Sequence, residues 1–375
     1  MDERLARMCL AAVIEPGKPA TVDVVAELGA AEVWAGLLTR AEPIAVRARR
    51  LQPDELVART RAAQLRFVVP GDADWPPALA DLARCERVND LSGEPLGLWV
   101  RGSGDLAALS STAVSVVGSR ASTAYGDTVA ADLGAELSEA GRSVVSGGAY
   151  GIDAAAHRGC LAGRTPTVCV LAGGLDRPYP PGHRPLFDRI AEHGLLVSEL
   201  APGEHPTRVR FLARNRLIAA LAPGTVLVEA AARSGARNTV TWANVLGRVV
   251  MAVPGPVTSA TSVTPHRLVR EAEAVLVTSS ADVLELLSPL GRASPRAPAE
   301  RRPTDALAGD ELRLYESVPA RGSLPAGELA LRAGITVPRC LAVLDQLAEQ
   351  GFVAQNPMGE WHLPPRGGQR VRGDG

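Results

Sequence analysis

Two glycine-rich turns in the middle of the chain have the chemistry of an anion-binding site. The apolar run Val114–Val117 leads into Gly118–Arg120, and the next apolar run, Ser143–Val145, leads into Ser146–Gly148. Glycine lets a backbone approach its ligand closely, and a helix N-terminus that follows such a turn favours an anion. Arg120 adds a forked guanidinium suited to phosphate. The alternative for each turn is an ordinary connection between a strand and a helix.

Arginines are concentrated in residues 198–250. This stretch holds seven arginines and three glutamates, so it carries a net charge of +4, whereas the whole chain carries −1. Arg210 and Arg214 are four residues apart and can share one helix face, where like charges repel by roughly 0.2–0.5 kcal/mol. A bound anion would offset that repulsion. The alternative is a solvated basic helix face.

Phe211 lies among these arginines, and the chain has only four phenylalanines. An aromatic ring beside arginines at a ligand-binding edge can stack a nucleobase, which is worth about 1–3 kcal/mol per base. The alternative for this ring is core packing. A further stretch, Arg233–Arg237, places two more arginines around a Ser-Gly turn. The combination predicts a site for phosphates and bases.

The sequence shows no catalytic machinery to act on such a ligand. It has no Ser-His-Asp order, no H-E-x-x-H motif and no G-x-G-x-x-G after the first strand of the central region. Its one lysine, Lys18, precedes that region, which excludes a P-loop or Schiff-base enzyme. Five scattered cysteines without C-x-x-C spacing make a zinc site improbable. We therefore expect a protein that is not an enzyme, with no cofactor and no metal.

The apolar runs that precede these turns predict the fold class. Between residues 113 and 287, continuous apolar runs alternate with helical stretches, which is typical of strands buried on both faces of a parallel sheet. The prediction is an α/β fold with a Rossmann-like, doubly wound, mostly parallel sheet. Ligands bind beyond the carboxyl ends of the strands in such sheets, so the glycine turns and arginines should converge there.

Composition and periodicity divide the chain into five predicted parts. The central α/β domain is flanked by short amphipathic helices on each side, and those on the C-terminal side precede a strand pair, which is the order of a winged helix. The parts are a small helical domain of SAM-like type (1–65), the Rossmann-like domain (66–287), a Pro-, Ala- and Arg-rich linker (288–304), a winged-helix domain (305–363) and a disordered tail (364–375).

The chain lacks the signals of a secreted or membrane protein. No apolar run reaches the ~18–20 residues that a membrane-spanning helix needs, and the first residues have no cleavage-site pattern. We expect a cytoplasmic protein that does not insert into membranes. Its near-neutral charge means that any binding to nucleic acid must come from a local basic patch.

Four segments of the chain resemble, in the right order, the motifs of the DNA-processing protein A family, DprA or Smf. They are Val117–Arg120, Ser146–His157, Phe211–Leu221 and Val253–Gly255. The resemblance covers about residues 67–287. It implies a sequence-independent single-stranded DNA-binding protein that protects incoming strands in natural transformation and helps load the recombinase RecA. It also implies a homodimer formed through the Rossmann-like domain.

The resemblance gives roles to particular residues. By position, Arg120 would contact phosphate, Arg208 would lie on a basic rim, and Phe211 would be the stacking aromatic. Motif and residue chemistry together predict a single-stranded DNA site, whose members are Gly118, Ser119, Arg120, Ser146, Gly147, Gly148, Arg208, Arg210, Phe211, Arg214, Asn215, Arg216, Arg233, Ser234, Gly235 and Arg237.

Two further hypotheses stay open from sequence. One is a nucleotide-processing enzyme, a phosphoribohydrolase of the related lysine-decarboxylase-like group, for which Glu229 at a strand end is the only candidate acid. The other is duplex binding by the predicted winged helix. Its candidate recognition helix, 337–350, carries Arg339 against Asp345 and Glu349, a balance that suits a protein contact better than phosphate.

Overall fold

The computed structural model describes residues 1–288 and 303–364 of the chain. They form two compact units, one on each side of the undescribed stretch. The predicted linker, 288–304, falls almost wholly in that stretch, and the predicted tail lies outside the described residues from 365 onward. The predicted domain boundaries stay predictions.

Within residues 1–288, nine strands form one sheet in the order β1-β2-β6-β5-β4-β3-β7-β8-β9. The seven strands from β6 to β9 in this order run parallel, and β1 and β2 extend the β6 edge in antiparallel fashion. The predicted α/β, mostly parallel, doubly wound fold is confirmed. The strand bounds are β1 Arg66–Val68, β2 Leu98–Arg101, β3 Val114–Val117, β4 Val144–Gly147, β5 Val168–Leu171, β6 Leu195–Ser198, β7 Gly224–Leu227, β8 Val249–Ala252 and β9 Val275–Leu276.

Helices cover both faces of this sheet. Alternate strand residues reach opposite cores: Val145 packs with α10 and α11, whereas Val144 packs with α7 and α8. The bounds are α1 Glu3–Val13, α2 Pro19–Leu28, α3 Ala30–Leu38, α4 Pro43–Arg50, α5 Pro53–Ala62, α6 Leu106–Ser111, α7 Ala124–Glu139, α8 Ile152–Cys160, α9 Arg184–His193, α10 Arg208–Ala220, α11 Ala236–Val245, α12 Val263–Arg270 and α13 Ser280–Leu287. Across the described residues, no helix combines the length and apolar character needed to cross a membrane.

The first five helices share a core with the β1–β2 end of the sheet. Phe67 and Trp99 pack against each other there, with ring centroids 4.6 Å apart, in the same cluster as Leu10 and Leu56. The Trp99 indole N–H donates to Thr60 Oγ1 at 3.3 Å, which ties α5 to β2. The N-terminal region is therefore helical, as predicted, and it is packed directly onto the sheet.

The strand order creates a switch point at β3. From β3 the chain winds through β4, β5 and β6 on one side, then returns to the other side of β3 with β7. β3 and β7 pair in parallel from Val114 opposite Gly224 to Val117 opposite Leu227. The helices that follow these two strands, α7 and α11, pack on opposite faces of the sheet, and a crevice lies beyond the carboxyl ends of the strands.

The second unit has its own core. Three helices precede a two-stranded antiparallel sheet, and Leu314, Leu329, Leu344 and Trp361 pack among them. Each hairpin strand has two residues, and Gly351 (φ +79°) belongs to the turn after the last helix. The winged-helix assignment stays a prediction. The bounds are α14 Asp310–Ser317, α15 Ala326–Ala333, α16 Val337–Glu349, β10 Ala354–Gln355 and β11 Trp361–His362.

Helices α7 and α8 approach so closely that glycine is required between them. A methyl group added at Gly159 would overlap the backbone of Ala131. We expect Gly159→Ala to lower the free energy of unfolding by about 1–3 kcal/mol, because an overpacked interior must shift its backbone. The exposed Gly36 in α3 has no neighbour within 4 Å of such a methyl group.

The matched control is Gly36→Ala, which should stabilise the protein by about 0.5–1 kcal/mol through lower chain entropy. Urea unfolding followed by circular dichroism measures both variants. Equal effects of the two substitutions would contradict the close packing of α7 on α8.

Candidate nucleic-acid interface

A cleft of about 880 Å³ lies at the switch point of the sheet. Its walls are the turn 118–121 after β3, the turn 231–236 after β7 and the N-terminal half of α10, with Asp153 at the start of α8 on its floor. The β3 turn and α10 bring Arg120, Phe211 and Arg214 together, although these residues are up to 94 positions apart in the chain. We call this space the cleft.

Two arginines surround the ring of Phe211. The Arg120 guanidinium carbon is 4.7 Å from the ring centroid, and that of Arg214 is 5.9 Å from it. Both distances fall within the range of cation–π attraction. Arg120 is exposed, Phe211 is half-buried and Arg214 is buried. One positive charge therefore lies beside the ring at the surface of the cleft, and the other lies beside it at the floor.

Arg214 is held at the floor by backbone. Its Nη1 donates to the Val170 carbonyl oxygen at 2.5 Å, while its Nε has no hydrogen-bond partner in the described part of the chain. The guanidinium lies on Gly147, where an added methyl group would overlap Nη1. Burial lowers the pKa of Arg214 and raises that of Asp153, and the attraction between these two groups opposes both shifts.

A buried histidine supports the glycine beneath Arg214. The Nε2–H of His157 donates to the Gly147 carbonyl oxygen at 2.9 Å, and its Nδ1 lies 2.8 Å from Thr167 Oγ1. Burial lowers the pKa of His157 to about 4, although the bond to the Gly147 carbonyl opposes that shift. The ring is therefore neutral near pH 7 and serves a structural purpose.

The glycines of the predicted site are explained mainly by packing. A methyl group at Gly118 would lie 2.5 Å from Ile152 Cγ1, and one at Gly148 would lie 2.6 Å from Leu171 Cδ2. Gly118 lines the cleft, whereas Gly148 lines a smaller recess of about 50 Å³ that shares Arg120 and Phe211 with it.

The two predicted serines of these turns differ in position. Ser119 lines the cleft, and its hydroxyl donates to the Ala121 carbonyl oxygen at 3.0 Å. Ser146 does not line it, because its side chain is fully buried and donates to the Val116 carbonyl oxygen at 2.6 Å. The predicted strand ended at Val145, whereas β4 continues to Gly147, so Ser146 still belongs to the strand.

Three predicted arginines lie outside the cleft lining and pair with carboxylates instead. Arg210 contacts Glu15 at 2.8 Å and Glu204 at 2.7 Å, and these two carboxylates raise its pKa. The repulsion expected between Arg210 and Arg214 is thus offset by protein carboxylates, and no bound anion is needed to explain it.

The other two pairs involve α10 and α11. Arg216 is fully buried and donates through Nη2 to both carboxylate oxygens of Glu199, at 2.6 and 2.8 Å. Arg237 donates to Glu273 at 2.9 Å. Helix periodicity is the reason: a helix packed against a sheet can present only one face to the cleft, so its remaining arginines need partners elsewhere.

The charge of the cleft comes from four arginines of the predicted site. Arg208 and Arg233 are exposed in the lining beside Arg120 and Arg214. None of the four forms an ion pair within residues 1–288 and 303–364, and Asp153 is the acidic residue among those that line the cleft. Asn215, Ser234 and Gly235 also lie in the lining.

Tyr179 also lines the cleft, and it was not predicted from sequence. Its ring centroid is 6.1 Å from that of Phe211, with the rings inclined at 62°, and it is half exposed. The signal that could have found Tyr179 is an aromatic residue in a turn that follows a buried parallel strand.

The candidate acid of the enzyme hypothesis is bound within the protein. The carboxylate of Glu229 accepts hydrogen bonds from Thr123 N at 2.9 Å, Thr123 Oγ1 at 2.7 Å and Thr261 Oγ1 at 2.9 Å. It connects the loops after β3, β7 and β8 and does not line the cleft. In the described residues, no group of three His, Cys, Asp or Glu side chains is arranged to hold a metal ion.

Residues 66–288 match the family model described as DNA recombination-mediator protein A. The chain is 44% identical over 300 residues to the protein that bears the name DNA processing protein DprA in Mycobacterium tuberculosis, which covers 80% of this chain and 77% of that protein. Protein Smf of Escherichia coli is 34% identical over 296 residues, covering 78% of this chain and 76% of Smf.

Two solved structures share the fold. The X-ray structure of DNA processing protein A from Streptococcus pneumoniae has a TM-score of 0.63 and 29% identity, covering 76% of this chain and 97% of its own. The structure of DNA processing protein A from Helicobacter pylori, described for its single-stranded DNA binding mode, has a TM-score of 0.51 and 24% identity, covering 60% of this chain and 97% of its own.

The neutral His157 predicts a loss of stability on acidification. An unfolded chain protonates this histidine near pH 6.5, whereas the folded chain resists protonation down to about pH 4. Stability is therefore present in full above pH 6.5 and is lost as the pH falls toward 4, by about 3 kcal/mol. Urea unfolding across this window measures the change.

The variant His157→Gln should lose this part of the pH dependence, while the carboxylates that also titrate in acid stay the same. The contribution of His157 is the difference between the two chains at each pH. Parallel stability curves for wild type and variant would show that His157 is not its source.

Proposed function

The chain belongs to the DNA recombination-mediator protein A family, and from this membership we propose that it binds single-stranded DNA without sequence preference. The observation that carries the proposal is the cleft itself. Arg120, Arg208, Arg214 and Arg233 line one space beside an aromatic ring, with a single carboxylate among the lining residues. Basic grooves with aromatic rings are the usual solution for binding a single strand.

The side chains of the cleft suit phosphates better than particular bases. Guanidinium groups on exposed turns can follow a flexible backbone, and they form charge-assisted hydrogen bonds to phosphate oxygens. Such contacts position a strand and carry no sequence information. Asn215 is already engaged through its Nδ2 with Asn238 Oδ1, at 3.2 Å. Affinity should therefore depend strongly on salt and weakly on sequence.

Cellular roles follow from the same proposal. A protein that covers the backbone of incoming single strands would protect them during natural transformation, and it would present them to the recombinase RecA. We propose a cytoplasmic homodimer that associates through its Rossmann-like domain. The H. pylori relative is described as binding single-stranded DNA, which is consistent with this role for the family.

We propose that the protein acts by binding and not by catalysis. The hydrolase hypothesis needs Glu229 free to reach a ligand, and all three of its hydrogen bonds are made to threonines of neighbouring loops. A methyl group at Gly126 would overlap this carboxylate, so the acid is also closely packed.

The second unit is proposed to bind a protein partner. Arg339 at the start of α16 donates to Asp310 at 2.9 Å, so its charge is already compensated. Asp345 and Glu349 on the same helix are acidic. A helix with this charge balance is poorly suited to phosphates and better suited to a protein surface.

The phosphate-binding role of Arg120 predicts a uniform loss of affinity on substitution. Arg120→Ala should weaken binding to single strands of any sequence by about tenfold, since one charge-assisted contact is lost. The slope of log affinity against log salt should fall in magnitude by about 0.7. Fluorescence anisotropy with labelled strands of about 20 nucleotides, longer than one binding site, measures both quantities.

The matched control is Arg164→Ala, an exposed arginine outside the cleft whose side chain is 84% accessible. It should leave affinity and slope unchanged. Undetectable binding of the wild-type protein to single strands at low salt would refute the proposed function, and equal losses in both variants would refute the cleft as its site.

Removal of the second unit should leave the cleft intact. A chain ending at residue 288 keeps the sheet and all four cleft arginines, so its affinity for single strands should be largely unchanged. The same anisotropy titration checks this. A large loss of affinity would place a DNA contact in residues 289–375 and contradict the proposed protein-binding role of the second unit.

A further inference from the structure

A second basic hollow, separate from the cleft, lies beside the end of the sheet on which the N-terminal helices pack. Its volume is about 570 Å³, and its walls are the C-terminal end of α5, the end of β2, the loops after β5 and β6 and the start of α9. Four arginines line it against one carboxylate, Asp176: they are Arg59, Arg101, Arg177 and Arg184. We call this hollow the arginine groove.

The carboxylates near the arginine groove leave much of its charge uncompensated. Asp176 accepts a hydrogen bond from Gly203 N at 2.8 Å, so it holds the loop after β6. Asp188 lies 3.6 Å from both Arg101 and Arg184. One carboxylate cannot neutralise two guanidinium groups, and 3.6 Å is longer than a hydrogen bond, so both arginines keep donors for a ligand.

The other two arginines of the groove are freer still. Arg59 and Arg177 are exposed, and within residues 1–288 and 303–364 neither side chain forms an ion pair. Clustered charges of one sign in a hollow attract a polyanion, and the guanidinium fork fits phosphate oxygens. The four side chains together therefore suit a phosphate-bearing ligand.

The backbone of the groove opposes an anion only weakly. The C-terminal end of α5 belongs to its wall, and free carbonyl groups at a helix end repel negative charge. Here the carbonyl oxygens of Arg59, Thr60 and Arg61 each accept a backbone hydrogen bond of 2.9–3.0 Å from a residue that follows the helix. The exposed amide of Gln64, also in the wall, adds a neutral donor.

The same two loops line the arginine groove and the cleft. The loop after β5 gives Arg177 to the groove and Tyr179 to the cleft, and the loop after β6 gives Gly203 to the groove and Pro206 to the cleft. The hydrogen bond between Asp176 and Gly203 joins these loops. Two residues of chain span at most about 7 Å, so the two spaces are neighbours.

We propose that the arginine groove is a second phosphate-binding site, and that a single strand longer than the cleft continues over the loops after β5 and β6 into it. The proposal rests on the proposed single-stranded DNA binding and extends the bound strand to the N-terminal helices. Among the described residues that line the groove none is aromatic, so it contacts phosphates and adds affinity without sequence preference.

The test uses strand length to separate the two sites. Labelled thymidine oligomers of about 6 nucleotides fill the cleft alone, whereas those of about 20 nucleotides also reach the groove. The double variant Arg59→Ala/Arg177→Ala should bind the short strand as the wild type does and the long strand about 10- to 100-fold more weakly, because two charge-assisted contacts are lost. For the long strand alone, the slope of log affinity against log salt should fall in magnitude by about 1.4. Fluorescence anisotropy measures both quantities.

Three variants serve as controls. Arg158→Ala/Arg164→Ala removes two exposed arginines outside both spaces and gives the same net charge, and it should leave both affinities unchanged. Arg59→Lys/Arg177→Lys keeps the charges and should keep the wild-type salt slope. Arg120→Ala should weaken binding of both lengths, which shows that the short strand occupies the cleft.

Each outcome bears on one claim. If the wild-type protein binds neither length, the proposed function itself fails. If it binds both, and the double variant at positions 59 and 177 binds the long strand as tightly as the wild type, the protein binds DNA but the groove is not on the path of the strand. Equal losses for short and long strands, or an equal loss in the Arg158→Ala/Arg164→Ala control, would also overturn the assignment of a second site.

Discussion

Ion pairs fix helix α10 on the side that faces away from the cleft. The position of the cleft side chains that α10 carries depends on these ion pairs. Arg210 is held by Glu15 and Glu204, and the fully buried Arg216 is held by Glu199. Loss of one partner from a buried pair costs about 3–5 kcal/mol, because the other charge is left uncompensated. The helix cannot rotate without breaking these pairs, so Arg214 stays on the cleft side.

A second constraint acts beneath Arg214. The guanidinium lies on Gly147, whose carbonyl accepts a hydrogen bond from His157. His157 thus positions Gly147, and Gly147 supports Arg214. Asp153 nearby partly balances the buried charge without forming a direct ion pair. A phosphate that approached Arg214 would meet a cation whose geometry is already set, which reduces the ordering cost of binding.

The fold was largely predictable because its signals are local. The apolar run Val114–Val117 coincides with β3, and the run Ser143–Val145 overlaps β4, which extends two residues further. The order of the strands in the sheet carries no such local signal. The arginines were harder. Arg210 and Arg237 carry no mark in sequence to show that they pair with Glu15 and Glu273, because these partners are 195 and 36 residues away. Their membership in the DNA site was predicted from local charge alone, and local charge does not identify partners.

The pair between Glu15 and Arg210 joins the N-terminal helices to the basic wall of the cleft. Gly17 adds to this connection, since a methyl group there would lie 3.2 Å from Arg216 Nε. The first seventeen residues and α10 therefore form one structural unit. A neutral residue at position 15 would leave Arg210 with Glu204 as its carboxylate partner in the described residues. A graft of another N-terminal region onto this sheet should therefore keep a carboxylate at position 15.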